Sequence, residues 1–154
     1  MEHLDQETQR RVWQRVQSRD PVQMPQLPVE NVKTQLLTAR ENLVAYTWLQ
    51  KQMGMKHREA MNGLVRETRK CIACLQGIGR LQGEPVRISI MKPVPDHPRR
   101  TLEKCYHRER KLWDVWQNRR EDPEFGVVFH KLSRQAREHC AVIMEILGQM
   151  DPGK

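Results

Sequence analysis

The sequence predicts an all-α protein: a four-helix bundle built from two antiparallel hairpins and one long crossover, with a short extra helix at the N-terminus. Three observations predict it. Apolar residues recur at a period of 3.6 along nearly the whole chain, and the only β-like run is "VRISIM" at 86–91. Glycines and prolines punctuate the long periodic runs. The connections between those runs are short, long, short, so the first and last pairs fold back on themselves and the middle link crosses the bundle.

In chain order, "DQETQRRVWQRVQS" (5–18) forms a short helix with Val12, Trp13 and Val16 on its apolar face. "RDPVQMPQLP" follows, and its three prolines make a linker. A long helix is expected from Val29 to Met53, ended by Gly54. A second runs from His57 to Ile78, with Gly79 and Gly83 closing it. The link "RLQGEPVRISIMKPVPDHPR" is long enough to travel a helix length of about 30 Å. A third helix spans Arg100 to Arg120, and a fourth runs from Pro123 to Gln149 with Pro123 in its first turn. Residues 1–28 are thus an N-terminal helix and linker, 29–149 the bundle, and 150–154 a tail.

The chain has 154 residues, 30% of them charged, and a formal net charge of +8. It contains no apolar run near the ~18 residues of a membrane span and no apolar segment of signal-peptide type. The expectation is a soluble cytoplasmic protein with its four cysteines reduced. No glycine-rich phosphate loop or nucleophile elbow is present, which removes phosphate-loop and serine-hydrolase chemistry. "CIAC" (71–74) has redox spacing but lies deep in a helix, away from the N-terminal dipole that would lower a thiol pKa, so it reads as core. The tryptophans at 48, 113 and 116 also read as core, and His57, His97, His107 and His130 as surface.

The two hairpins match each other. "ENLVAYTW" from Glu41 and "ERKLWDVW" from Glu109 each place Trp seven residues after an acid. On the returning helices, "ETRKCIAC" from Glu67 lines up with "AREHCAVI" from Ala136. Helical spacing puts Glu41 on a stripe with Leu37, Val44, Ala45 and Trp48, and Glu67 with Ala60, Leu64, Cys71, Cys74 and Ile78. Glu109 shares its stripe with Leu102, Cys105, Tyr106, Leu112 and Trp116, and His139 with Leu132, Ala136, Ile143 and Ile146. Each helix then carries one titratable group at mid-length on its inward face. A lone buried carboxylate is costly, so several at one level need a shared partner, and a divalent metal suits carboxylate oxygens and imidazole nitrogens.

On these residues the chain resembles the ferritin-like superfamily, and within it the rubrerythrin-related bacterial proteins, from about 29 to 148. "RVWQRV" and the "LQG" after the second helix resemble bacterial members as well. The resemblance implies a di-iron carboxylate site in which one helix of each hairpin supplies Glu and the other Glu-x-x-His. Glu41, Glu67, Glu109 and His139 occupy four of those six positions, while Lys70 stands for a histidine and Ala136 for a glutamate. It implies iron, peroxide or oxygen chemistry in a depleted site, with one Fe or Mn ion or none, and leaves catalytic activity open. Without metal, Lys70 is expected to bridge Glu41 and Glu67 across the core, and His139 to pair with Glu109. The alternatives are a metal-free structural or interaction protein and a polyanion-binding module. Expected partners are a second copy of the chain, as in a dimer, or another protein. Nucleic acid is the weaker expectation, because acids interleave the basic clusters "HPRR" (97–100), "HRERK" (107–111) and "NRRE" (118–121).

Overall fold

The computed structural model describes residues 29–83, 92 and 96–150. Four long helices make up this region: α1 (Val29–Gln52), α2 (Arg58–Leu81), α3 (Pro98–Gln117) and α4 (Gly126–Gln149). A 3₁₀ turn at Met55–His57 joins α1 to α2. The expected N-terminal helix at 5–18, the proline-rich linker, "VRISIM" and the tail from 151 lie outside the described residues.

The boundaries follow local chemistry. α2 runs through Gly79, which is buried, and stops only near Gly83, whose φ of +78° suits glycine. The expected stop at Ile78 is therefore three residues early, because an interior glycine weakens a helix by only ~1 kcal/mol and packing overrides that. α3 starts at Pro98 rather than Arg100, with His97 as N-cap: its Nδ1 accepts from the Arg99 amide at 3.2 Å. α4 starts at Gly126, not Pro123. The preceding turn is held by Asp122, whose Oδ1 accepts from the Glu124 and Phe125 amides, both at 2.8 Å. A Cβ on Gly126 would sit 2.5 Å from the Arg120 carbonyl oxygen, so this turn requires glycine.

The helices alternate in direction around the bundle. One apolar cluster joins the N-terminal half of α1 (Val32, Leu36, Ala39) to the C-terminal half of α2 (Cys71, Leu75, Ile78), with Leu112 and Trp116 of α3 and Phe129, Leu132 and Ala136 of α4. A second cluster joins Tyr46 and Leu49 to Met61, Leu64 and Val65, with Leu102, Cys105, Ile143 and Ile146. The end of α2 and the start of α3 therefore lie at opposite ends of the bundle. Trp116 stacks on Phe129 with centroids 5.2 Å apart, while Trp48 and Trp113 are half-buried. The four cysteines are free thiols; all but Cys74 are buried. Burial pushes the Cys105 thiol up to about 12 and that of Cys140 to about 11, consistent with inert core packing.

Candidate functional site

Between the two apolar clusters lies a polar layer. Every helix contributes a buried residue with a polar group to it: Asn42 and Tyr46 from α1, Thr68 from α2, Glu109 from α3 and His139 from α4. Two of these match the sequence expectation. On α3, Glu109 is 4% exposed and shares its face with Leu102, Cys105, Leu112 and Trp116. On α4, His139 is 3% exposed and shares its face with Leu132, Ala136, Ile143 and Ile146.

The centre is a carboxylate–imidazole–carboxylate chain. His139 Nδ1 lies 2.9 Å from Glu109 Oε2, and His139 Nε2 lies 2.8 Å from Glu67 Oε1. The Tyr46 hydroxyl donates to the same Glu109 oxygen at 2.7 Å. Two carboxylates facing both ring nitrogens require both nitrogens to donate, which only imidazolium does. Burial opposes that charge, but the hydrogen bond and charge of Glu109, then those of Glu67, outweigh it and raise the His139 pKa. Burial first, then the Glu109 carboxylate, raises the Tyr46 pKa far above its usual range, so the phenol is a neutral donor. Tyr46 and His139 also meet edge to face, with ring centroids 6.5 Å apart.

The expected phase of α1 is wrong by one position. Its buried face is Val32, Leu36, Ala39, Asn42, Tyr46 and Leu49. Glu41 therefore faces outward, with its side chain 50% exposed and 3.9 Å from Arg108 Nε. Leu37 is exposed, and Val44, Ala45 and Trp48 are half-buried. The reason is that α1 carries apolar residues on two adjacent faces, and only the face with Tyr46 supplies a donor for Glu109. Lys70 is likewise not in the core. It is exposed, and among the described residues it makes no ion pair with Glu41 or Glu67. Glu67 reaches the layer from the edge of α2, its side chain 40% exposed, while Thr68 holds the inward position. The expected pairing of His139 with Glu109 is present.

Tyr46, Asn42 and Thr68 were missed as members of this layer. Tyr46 had a usable signal: it falls one turn from Asn42 on an apolar stripe, and a buried phenol needs an acceptor. Two layer atoms, Asn42 Nδ2 and Thr68 Oγ1, are buried without a hydrogen-bond partner, and Asn42 Oδ1 is only 3.4 Å from Arg108 Nη1.

These residues do not fit a di-metal centre. Both nitrogens of His139 are committed to carboxylates, Glu41 lies outside, and Ala136 has no donor. On the Nε2 side the hydrogen-bond partner is Glu67 Oε1. Among the described residues, no three His, Cys, Asp or Glu side chains are grouped to hold a metal ion. No family model, no curated protein and no solved structure matches this chain. Among the described residues, no helix is long and apolar enough to cross a membrane.

Proposed function

We propose that this chain is a ferritin-like bundle, related to rubrerythrin-type proteins, whose central layer has become an internal ion-pair network. It works as a structural or interaction protein in the cytoplasm and keeps no resident iron or manganese. One observation carries this reading: His139 lies between Glu109 and Glu67 with a carboxylate on each ring nitrogen. The imidazolium then supplies at the bundle centre the positive charge that the acids need. Replacing a proton on Nε2 with a metal ion would leave that ion two protein donors, His139 and Glu67, where resident sites use three or four.

A single Fe or Mn on the His139 and Glu67 side is the second reading. The Glu109 carboxylate on Nδ1 supports it, since metal-bound histidines usually donate their other ring N–H to a carboxylate. Elemental analysis of protein purified without chelator, then dialysed anaerobically against Fe(II) or Mn(II), separates the two. The scaffold reading predicts substoichiometric metal and an unchanged melting temperature. One tightly held ion per chain, lost in Glu67→Gln, would establish the mononuclear reading instead.

A further inference from the structure

Some cations in and near the basic clusters most visible in the sequence are engaged in the fold, while Arg100, Lys111 and Arg120 make no ion pair among the described residues. Arg99 pairs with Glu103 and donates to the Leu147 carbonyl, and Lys104 pairs with Asp96. Arg108 is drawn to Glu41 and Asn42, and Arg110 lies over the Trp113 ring at 4.7 Å. Helix α2 goes further. Arg58, Arg66, Arg69, Lys70 and Arg80 are all exposed, and none makes an ion pair among the described residues. Its acids are Glu59 and Glu67, and Glu67 is turned in toward His139.

Arg58, Arg66, Arg69 and Arg80 follow one another at helical spacing along the outer face, over about 33 Å. Arg66 has Arg69 three residues on and Lys70 four residues on, with no acid at i±4. Like charges at those spacings destabilise a helix, and among the described residues no ion pair to Arg66, Arg69 or Lys70 offsets the repulsion. Lys131 of α4 adds to the field: burial raises the Cys74 thiol on α2, and Lys131 pulls it back across the seam.

We infer that the outer face of α2, centred on Arg66, Arg69 and Lys70, binds the phosphate backbone of duplex nucleic acid without reading its sequence. The stripe is about as long as one turn of the duplex. Its cations are unpaired and mostly guanidinium, which suits phosphate oxygens. No recognition motif accompanies it, so affinity comes from counterion release.

The test is fluorescence anisotropy of the intact protein with a labelled mixed-sequence duplex between about 50 and about 200 mM salt. Wild type should bind at low salt and weaken steeply as salt rises. Arg66→Gln/Arg69→Gln/Lys70→Gln should weaken low-salt binding at least ~10-fold and flatten the log–log salt slope by about 0.9 per lost phosphate contact. Its helix content and melting temperature should stay close to wild type, since all three residues are exposed. Arg100→Gln/Lys111→Gln on α3 should bind as wild type does. The inference is overturned by no duplex binding at low salt, by equal binding of the α2 triple variant, or by an equal loss in the α3 control. Binding to phosphatidylglycerol vesicles with no binding to duplex would overturn it too.

Discussion

The hairpin α3–α4 buries its charge at the centre of the bundle, whereas α1–α2 buries neutral polar groups there, brings Glu67 in from the edge and turns most of the rest of its charge outward. Glu109 and His139 are nearly inaccessible and hydrogen-bonded to each other. Their counterparts by depth are Asn42 and Thr68, equally buried but each with an unpartnered atom. The turns differ in the same sense. Gly54 has open space around its missing side chain, while Gly126 is pressed against the Arg120 carbonyl. One half is therefore over-determined at its centre and its turn, and the other is permissive at both. Two sequence-similar hairpins can carry the same acid and tryptophan spacing and still differ by one helical position in what they bury.

The largest test of this contrast is charge removal. Glu109→Gln should destabilise by ~3–5 kcal/mol, because it strips one partner from a buried ion pair. Glu41→Gln should change stability by less than ~1 kcal/mol, as its pair with Arg108 is solvated. Urea unfolding of both variants measures the difference, and equal effects would break the comparison. The turns come next. Gly126→Ala should lose ~1–3 kcal/mol by forcing the backbone away from Arg120, whereas Gly54→Ala should be nearly neutral. Thr68→Val goes the other way. Removing a buried hydroxyl without a partner should stabilise the fold by roughly 1 kcal/mol, read from the same unfolding curves.

The smallest effect concerns pH. The folded-state pKa of His139 is raised above its unfolded value of about 6.5, so its contribution to stability is complete below that pH. It fades as pH rises through the folded value. The melting temperature should therefore fall as pH rises above the usual histidine range, and His139→Asn should flatten that limb.

Much of the fold was legible in the sequence. α3 and α4 have a single apolar stripe each, so Glu109 and His139 could be placed inward from spacing alone. The link reads as long enough to cross the bundle, and the end of α2 and the start of α3 do lie at opposite ends. α1 was less legible, since Leu37, Val44, Ala45 and Trp48 make a second stripe beside the true one, and the acid-to-tryptophan match with α3 favoured it. What decided the phase was tertiary: Tyr46 must reach Glu109, and that need is invisible on α1 by itself. Lys70 misled for a related reason. Its position in "ETRK" mirrors His139 in "AREH", but on α2 the inward positions are Thr68 and Cys71, and the helix is rotated enough to leave Lys70 in solvent.

The account rests on a cation at the bundle centre that is a side chain. Nitrogen-15 chemical shifts of the His139 ring, recorded near neutral pH in protein free of chelator, test it most directly. The prediction is two protonated ring nitrogens, with both signals moving toward the neutral-imidazole pattern only above the usual histidine range. A neutral ring with one bare nitrogen at that pH, or a nitrogen signal lost to bound paramagnetic metal, would contradict it.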